Sequence, residues 1–361
     1  MGQLLIGSLP ATTITPEMRS LAREFQLGGV TLFKRNIEAP EQVAELNHDL
    51  QSLSSELPLW VAVDQEGGRV ARLRAPFTEW PPMATLGRSG DDTLAYRFAA
   101  ALAQELKAVG ITLDYAPVLD IHTNPQNPII GDRALGEDAA TVARLGAAVI
   151  RGLQENGVAA CGKHFPGHGD TSVDSHLALP IVEHPPDRIR RVECIPFREA
   201  IRHDVAFMMT AHILVPALDE EKPATLSPPI VQGLLRDELG FEGVILSDDL
   251  EMKALADTYT VPEAAVEAIA AGCDGVLVCR HLSSEPTQDA EVQAAVLEAL
   301  VHAVEDGRIP YKRAEDALSR NRRAKERFLT APVTPGRGAV LREVLGNDSH
   351  RRIADEMARF L

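Results

Sequence analysis

Several short motifs, each at the end of an apolar run, carry clustered ionisable side chains. VDQEGGRVAR carries Asp64, Glu66, Arg69 and Arg72, APVLD ends at Asp120, and GDR holds Asp132 and Arg133. GKHFPGHGDTSVDSH contains Lys163, His164, His168, Asp170, Asp174 and His176. MMTAH ends at His212, and LSDDLEM contributes Asp248, Asp249 and Glu251. Carboxylates and imidazoles in this mixture suit nucleophilic and general acid–base chemistry. A metal centre is the competing reading of 163–176. For His164 and His168 to share one face, the segment must be helical, and Pro166, Gly167 and Gly169 oppose a helix. The expectation is therefore a site without a metal. On residue type alone, a catalytic carboxylate could be Glu66, Asp170 or Glu251, whereas Asp248 follows Ser247 at a strand end, where the backbone can aim it.

The elements that must position these groups alternate regularly. Strands are expected at 3–9, 28–33, 59–65, 111–118, 158–163, 205–212, 243–247 and 275–279. They are rich in Val, Ile and Leu with little alternation, as strands buried on both faces are. Between them run amphipathic segments. Over 92–109, Leu94, Phe98, Leu102 and Leu106 recur at i+4 as one stripe. Over 227–239, Ser227 suits the N-cap, Pro228 the first turn and Gly240 the stop. Thr15–Pro16 opens another helix in the same way. Eight β-then-α units predict an α/β chain folded as a (β/α)8 barrel. A doubly wound sheet is the alternative, but no G-x-G-x-x-G or Walker sequence is present. The barrel is assigned to 1–330 and a short helical tail to 331–361. In such barrels active sites form at the C-terminal strand ends, where the ionisable motifs fall.

Composition narrows the class. The chain has 361 residues, with 36 Lys and Arg against 52 Asp and Glu, a net charge of −16. That balance leaves no basic stripe for nucleic acid or an anionic membrane surface. No apolar run approaches the roughly 20 residues of a membrane helix, and the opening MGQLLIGSLP lacks a basic signal-peptide region. Cys161, Cys194, Cys273 and Cys279 show no metal or redox spacing and read as reduced, buried thiols of a cytoplasmic protein.

KHFPGHGDTSVDSH, VDQEGGRV and LSDDLEM together resemble the bacterial β-N-acetylglucosaminidases of glycoside hydrolase family 3, over about residues 1–330. The resemblance implies a retaining exo-β-N-acetylhexosaminidase that uses no cofactor. Asp248 matches the family's nucleophile, and His176 its acid/base, oriented by Asp174. Asp64, Arg72, Arg133, Lys163 and His164 match the substrate-binding positions. The implied substrate is a small saccharide or muropeptide fragment from cell-wall turnover. Oligomeric state is not legible. The remaining residues take quieter expectations. Asp249 is a structural carboxylate, Glu66 braces the Gly67–Gly68 turn, and Arg69 is structural. His168 and Asp170 shape their loop, His212 and Asp120 line the pocket, and Met208–Met209 lie in the core. A β-N-acetylglucosaminide phosphorylase, or a broader β-glycosidase, is the alternative on the same site. A catalytically dead scaffold is disfavoured because Asp248, Asp174 and His176 are all present.

Overall fold

A computed structural model describes residues 1–53, 57–171, 179–279, 288–329 and 338–361. Eight parallel strands close into a barrel in sequential order: β1 (Leu5–Ser8), β2 (Gly29–Leu32), β3 (Trp60–Val63), β4 (Leu113–Asp114), β5 (Ala159–Phe165), β6 (Phe207–Thr210), β7 (Val244–Asp249) and β8 (Gly275–Leu277). The lack of alternation in the sequence has a direct cause. Trp60 and Ala62 of β3 point into the barrel with Phe207 and Met209 of β6, while Val61, Val63 and Met208 pack outward against helices. Both faces are dry, so both take apolar residues. Inside, Trp60 meets Phe207 edge-on at 5.1 Å and lies 6.4 Å from Phe328, whose helix crosses the N-terminal end of the barrel.

Strands are shorter than expected where local chemistry intervenes. Gly2–Leu4 forms a 3-10 turn ahead of β1. Of the expected 111–118, only Leu113–Asp114 pairs as a strand. Pro117 has no N–H to donate, and beyond it pairing is reduced to the isolated Val118–Lys163 bridge. The helices follow their caps. Asp91 accepts from the Thr93 and Leu94 amides at 2.8 and 3.2 Å and starts helix Asp92–Ala108, whose Leu94, Phe98, Leu102 and Leu106 are all buried. Thr15 caps helix Pro16–Phe25. Ser227 Oγ accepts from Ile230 N at 3.3 Å, but helix Pro229–Glu238 is a π-helix rather than an α-helix. Gly240, at φ +72°, ends that segment as expected.

The C-terminal helices Ala339–Val344 and Asp348–Ala358 pack on helix Asp92–Ala108. Their anchor is a buried carboxylate. Glu105 accepts from Thr78 N at 2.9 Å, Thr78 Oγ1 at 2.6 Å, Gly346 N at 2.9 Å and His350 Nδ1 at 2.8 Å. Thr78 belongs to the segment following the β3 motif, so this cluster ties the tail to the root of a pocket loop. Replacing His350 with Ala takes a donor from a carboxylate that cannot reach water. We expect His350→Ala to lose about 1–3 kcal/mol in urea unfolding, and a change within error would show that the other donors suffice.

Candidate active site

The carboxyl ends of the strands surround a cavity of about 310 Å3. Asp64, Arg72, Arg133, Lys163, His164 and Asp248 all line it, although they come from four strands or the loops after them. Asp174 and His176 lie outside the described residues.

One wall is an ion cluster. Lys163, at the C-terminal half of β5, is buried, with Nζ 2.8 Å from Asp64 Oδ1 and 2.7 Å from Glu66 Oε1. Arg72 reaches Asp64 Oδ2 at 3.2 Å. Arg133 forks onto both Glu66 oxygens at 2.8 Å each. Glu66 thus binds two cations instead of bracing the glycine turn. Burial alone would raise both carboxyls, but the surrounding cations dominate. Lys163, Arg72 and Arg133 hold Asp64 well below the usual carboxylate range, and Arg133 and Lys163 hold Glu66 down to about 2. The same partners overcome the burial penalty on Lys163 and Arg133, so both stay cationic. A carboxylate already ionised and oriented this way can accept from vicinal hydroxyls, while the forked guanidiniums donate.

The opposite side holds Asp248, at the end of β7, with Oδ1 accepting from the Asp249 amide at 2.8 Å. Burial pushes its carboxyl up. His212, His164, the Asp249 amide and Lys163 outweigh that effect and hold it below its ordinary value. It is an anion aimed into the pocket. Its neighbour differs. Asp249 Oδ1 accepts from the Glu251 and Cys279 amides at 3.2 and 3.1 Å, and Oδ2 has no partner among the described residues. Burial, reinforced by Glu251, raises this carboxyl to about 8. Two adjacent carboxyls are thereby separated into an anion and a neutral acid at neutral pH. The folded chain keeps the Asp249 proton up to about pH 8, whereas an ordinary Asp releases it near 3.8. Between those values the folded state binds more protons than the unfolded state, so stability falls as pH rises. Asp249→Asn removes that titration. Its stability relative to the parent chain should therefore rise between about pH 4 and about pH 8 in urea unfolding, and a constant difference would contradict the assignment.

The KHFPGH turn is fixed by one buried carboxylate. Asp120 accepts from His164 Nδ1 at 2.7 Å, His164 N at 3.2 Å and His168 N at 2.6 Å. Gly169 passes so close to Ile121 that a Cβ would sit 1.7 Å from its carbonyl oxygen. His168 lines the cavity, bonded through Nδ1 to Thr171 at 2.7 Å, and burial lowers it to about 4, so it is neutral. Asp170 pairs with His184 and lies 3.8 Å from Arg188, which anchors the loop as expected.

Several quieter expectations need correction. His212 does not line the pocket; it bridges Thr225 Oγ1 at 2.8 Å and the Asp249 carbonyl at 2.9 Å beneath it. Asp120 likewise stands behind His164. Met209 lines the cavity, while Met208 stays in the core. Thr31, Phe33, Tyr115, Met252, Leu277 and Cys279 also line it and were not anticipated. Thr31 and Leu277 sit at strand ends, the position that drew attention to the charged residues, but their side chains carry no chemical signal. Among the described residues, no group of three or more His, Cys, Asp or Glu is placed to hold a metal ion.

A sequentially wound parallel barrel with a charge-lined pocket at its strand ends defines the class as a barrel enzyme. The chain belongs to glycosyl hydrolase family 3: the model for the "Glycosyl hydrolase family 3 N terminal domain" matches residues 1–324. A relative from Pseudoalteromonas piscicida, beta-hexosaminidase A, is 35% identical over 96% of this chain, which spans 60% of that protein's length. A family 3 β-N-acetylglucosaminidase from Paenibacillus is 42% identical with a TM-score of 0.92, covering 99% of this chain and 67% of its own. NagZ from Neisseria gonorrhoeae, solved with N-trifluoroacetyl-D-glucosamine, is 32% identical with a TM-score of 0.78, covering 99% of this chain and 98% of its own.

Proposed function

We propose that the chain is a retaining exo-β-N-acetylhexosaminidase that removes terminal β-linked N-acetylglucosamine. The observation that carries this reading is Asp248, an ionised carboxylate at the end of β7 facing a pocket whose other wall is the Asp64–Lys163–Glu66–Arg133 cluster. The names of the hexosaminidase relatives and the glucosamine derivative bound to NagZ support the choice of sugar. In the first step an Asp248 oxygen bonds to the anomeric carbon as the glycosidic bond breaks, and a proton passes to the leaving oxygen from His176, oriented by Asp174. In the second, His176 takes a proton from water as the water oxygen displaces Asp248. Asp64, Arg72, Arg133 and Lys163 hold the ring hydroxyls meanwhile, and His164 stands beside the reacting centre. The substrate class is N-acetylglucosaminyl-β-1,4-anhydromuramyl fragments, with or without peptide, acted on in the cytoplasm. We assign the chemistry to residues 1–330 and treat 331–361 as a separate tail, helical over Ala339–Val344 and Asp348–Ala358.

The test is release of 4-nitrophenol from its N-acetyl-β-D-glucosaminide and its β-D-glucoside, each with and without phosphate. Turnover confined to the N-acetyl sugar and independent of phosphate is the expected result. Preference for the glucoside would overturn the sugar assignment, and strict phosphate dependence would convert the hydrolase into a phosphorylase.

A further inference from the structure

The opposite end of the barrel holds a second cavity, of about 290 Å3, bordered by residues that lead into β6 and β7, among them Val205, Ala206 and Gly243. Its other wall is helix Tyr311–Phe328, which carries seven basic and three acidic residues in a chain of net charge −16. Arg320, Arg323 and Arg327 of that helix line the cavity, together with Phe328 and Phe241. Their spacing of three and four places them on one stripe.

These guanidiniums are poorly matched by anions. Asp274, wholly buried behind the cavity, is shared by Arg236 at 2.5 Å, Arg313, and Arg320 at 3.4 Å. One carboxylate therefore faces three cations, and the Nε of each of the three arginines is buried with no hydrogen-bond partner among the described residues. Among the described residues Arg323 donates to the Ser319 hydroxyl at 2.9 Å, and Arg327 to the Asp204 carbonyl at 3.0 Å. The acidic side chains of the lining, Asp204 and Glu242, are both solvent-exposed. Arg320, 16% exposed, shares its carboxylate with two other guanidiniums, and Arg323 and Arg327 extend the cationic surplus to the surface, where an anion would stabilise it; forked guanidinium donors match phosphate oxygens two at a time. Phe241 and Phe328 border the cavity with the guanidiniums of Arg236 and Arg327 over their rings, and the volume is close to that of the catalytic pocket.

We propose that this cavity is a second ligand site, for a phosphate-bearing molecule of about monosaccharide size, with Arg320, Arg323 and Arg327 as its anion-binding groups. It stands on the N-terminal face of the barrel, separate from the catalytic pocket, and does not depend on the hydrolase assignment.

The test is calorimetric titration of the full chain with inorganic phosphate and with glucose 6-phosphate, at ionic strength held constant with sodium chloride. Arg323→Gln/Arg327→Gln is expected to bind both at least about tenfold more weakly, with an unchanged thermal midpoint, since both residues are exposed. Arg323→Lys/Arg327→Lys should fall between the two. Arg133→Gln, in the catalytic pocket, should leave the affinity as it is. Equal binding by the double glutamine variant, or no saturable heat in the wild type, would overturn the proposal. Loss of binding in Arg133→Gln with retention in the double variant would place the anion in the catalytic pocket and overturn it equally.

Discussion

Asp248→Asn should lower kcat on the N-acetylglucosaminide by at least about a thousandfold, roughly 4 kcal/mol of barrier. The amide is nearly isosteric and can still accept from the Asp249 N–H that now holds Oδ1 at 2.8 Å. What it loses is the negative charge and the ability to form an ester with the sugar. Because the side chain lies in the pocket and not in the core, the fold should survive, and an unchanged thermal midpoint will separate a chemical defect from a structural one. The neighbouring substitution is the internal control. Asp249 is already neutral at neutral pH, its carboxyl raised to about 8 by burial and by Glu251, so Asp249→Asn should retain most of the activity. Equal losses at the two positions would mean that the pair acts as a unit and that the division of roles between them is wrong.

Lys163→Met should be the most damaging change in the binding wall. Its ammonium sits between Asp64 at 2.8 Å and Glu66 at 2.7 Å, with only 2% of its side chain exposed. Removing it leaves buried Glu66 and the 20% exposed Asp64 without the cation between them, with Arg72 and Arg133 on their outer sides. Breaking one partner out of a buried ionic cluster costs about 3–5 kcal/mol, and we expect a loss in that range by urea unfolding. The defect should also depend on pH. Glu66 titrates near 2 in the folded chain, against 4.5 ordinarily, so its contribution is present above 4.5 and is lost as pH falls through about 2. Without Lys163 the folded value rises toward 4.5, so the acid-labile contribution shrinks and the gap between parent and variant should narrow as pH falls from about 4.5 to about 2. The Arg69–Asp132 pair offers a comparison, at 3.0 Å but with side chains 49% and 44% exposed. Arg69→Ala should cost less than about 1 kcal/mol, since water and salt screen that pair. A similar cost for both substitutions would show that burial does not govern the cluster.

The barrel was legible because its two periodicities are simple. Apolar strands recur between helices whose caps, at Thr15 and Ser227, announce themselves, and the ionisable motifs follow where strands stop. What escaped notice depends on pairing across long sequence distances. Glu66 reads as a local turn brace until Arg133 and Lys163, 67 and 97 residues away, fold onto it. Asp114 lies inside an apolar strand and gives no sign that burial raises its carboxyl to about 7 beside the ion cluster. His212 and Asp120 stand at strand ends as charged pocket residues do, yet both turn away to support a neighbour, which only side-chain direction reveals. The apolar half of the pocket, including Phe33 and Met209, was illegible for the converse reason: nothing in an apolar residue type distinguishes a ligand wall from a core. The net charge of −16 conceals the basic helix behind the second cavity, and only the fold brings Arg236, Arg313 and Arg320 onto the single carboxylate of Asp274.

The central claim is a covalent bond between the sugar and Asp248. The most direct measurement is an acid quench of the enzyme during steady turnover of an activated N-acetyl-β-D-glucosaminide, followed by peptide mass mapping. The expected result is one added N-acetylhexosaminyl unit on the peptide containing Asp248, absent in Asp248→Asn. Product of inverted configuration with no adduct, or an adduct confined to another carboxylate, would contradict it.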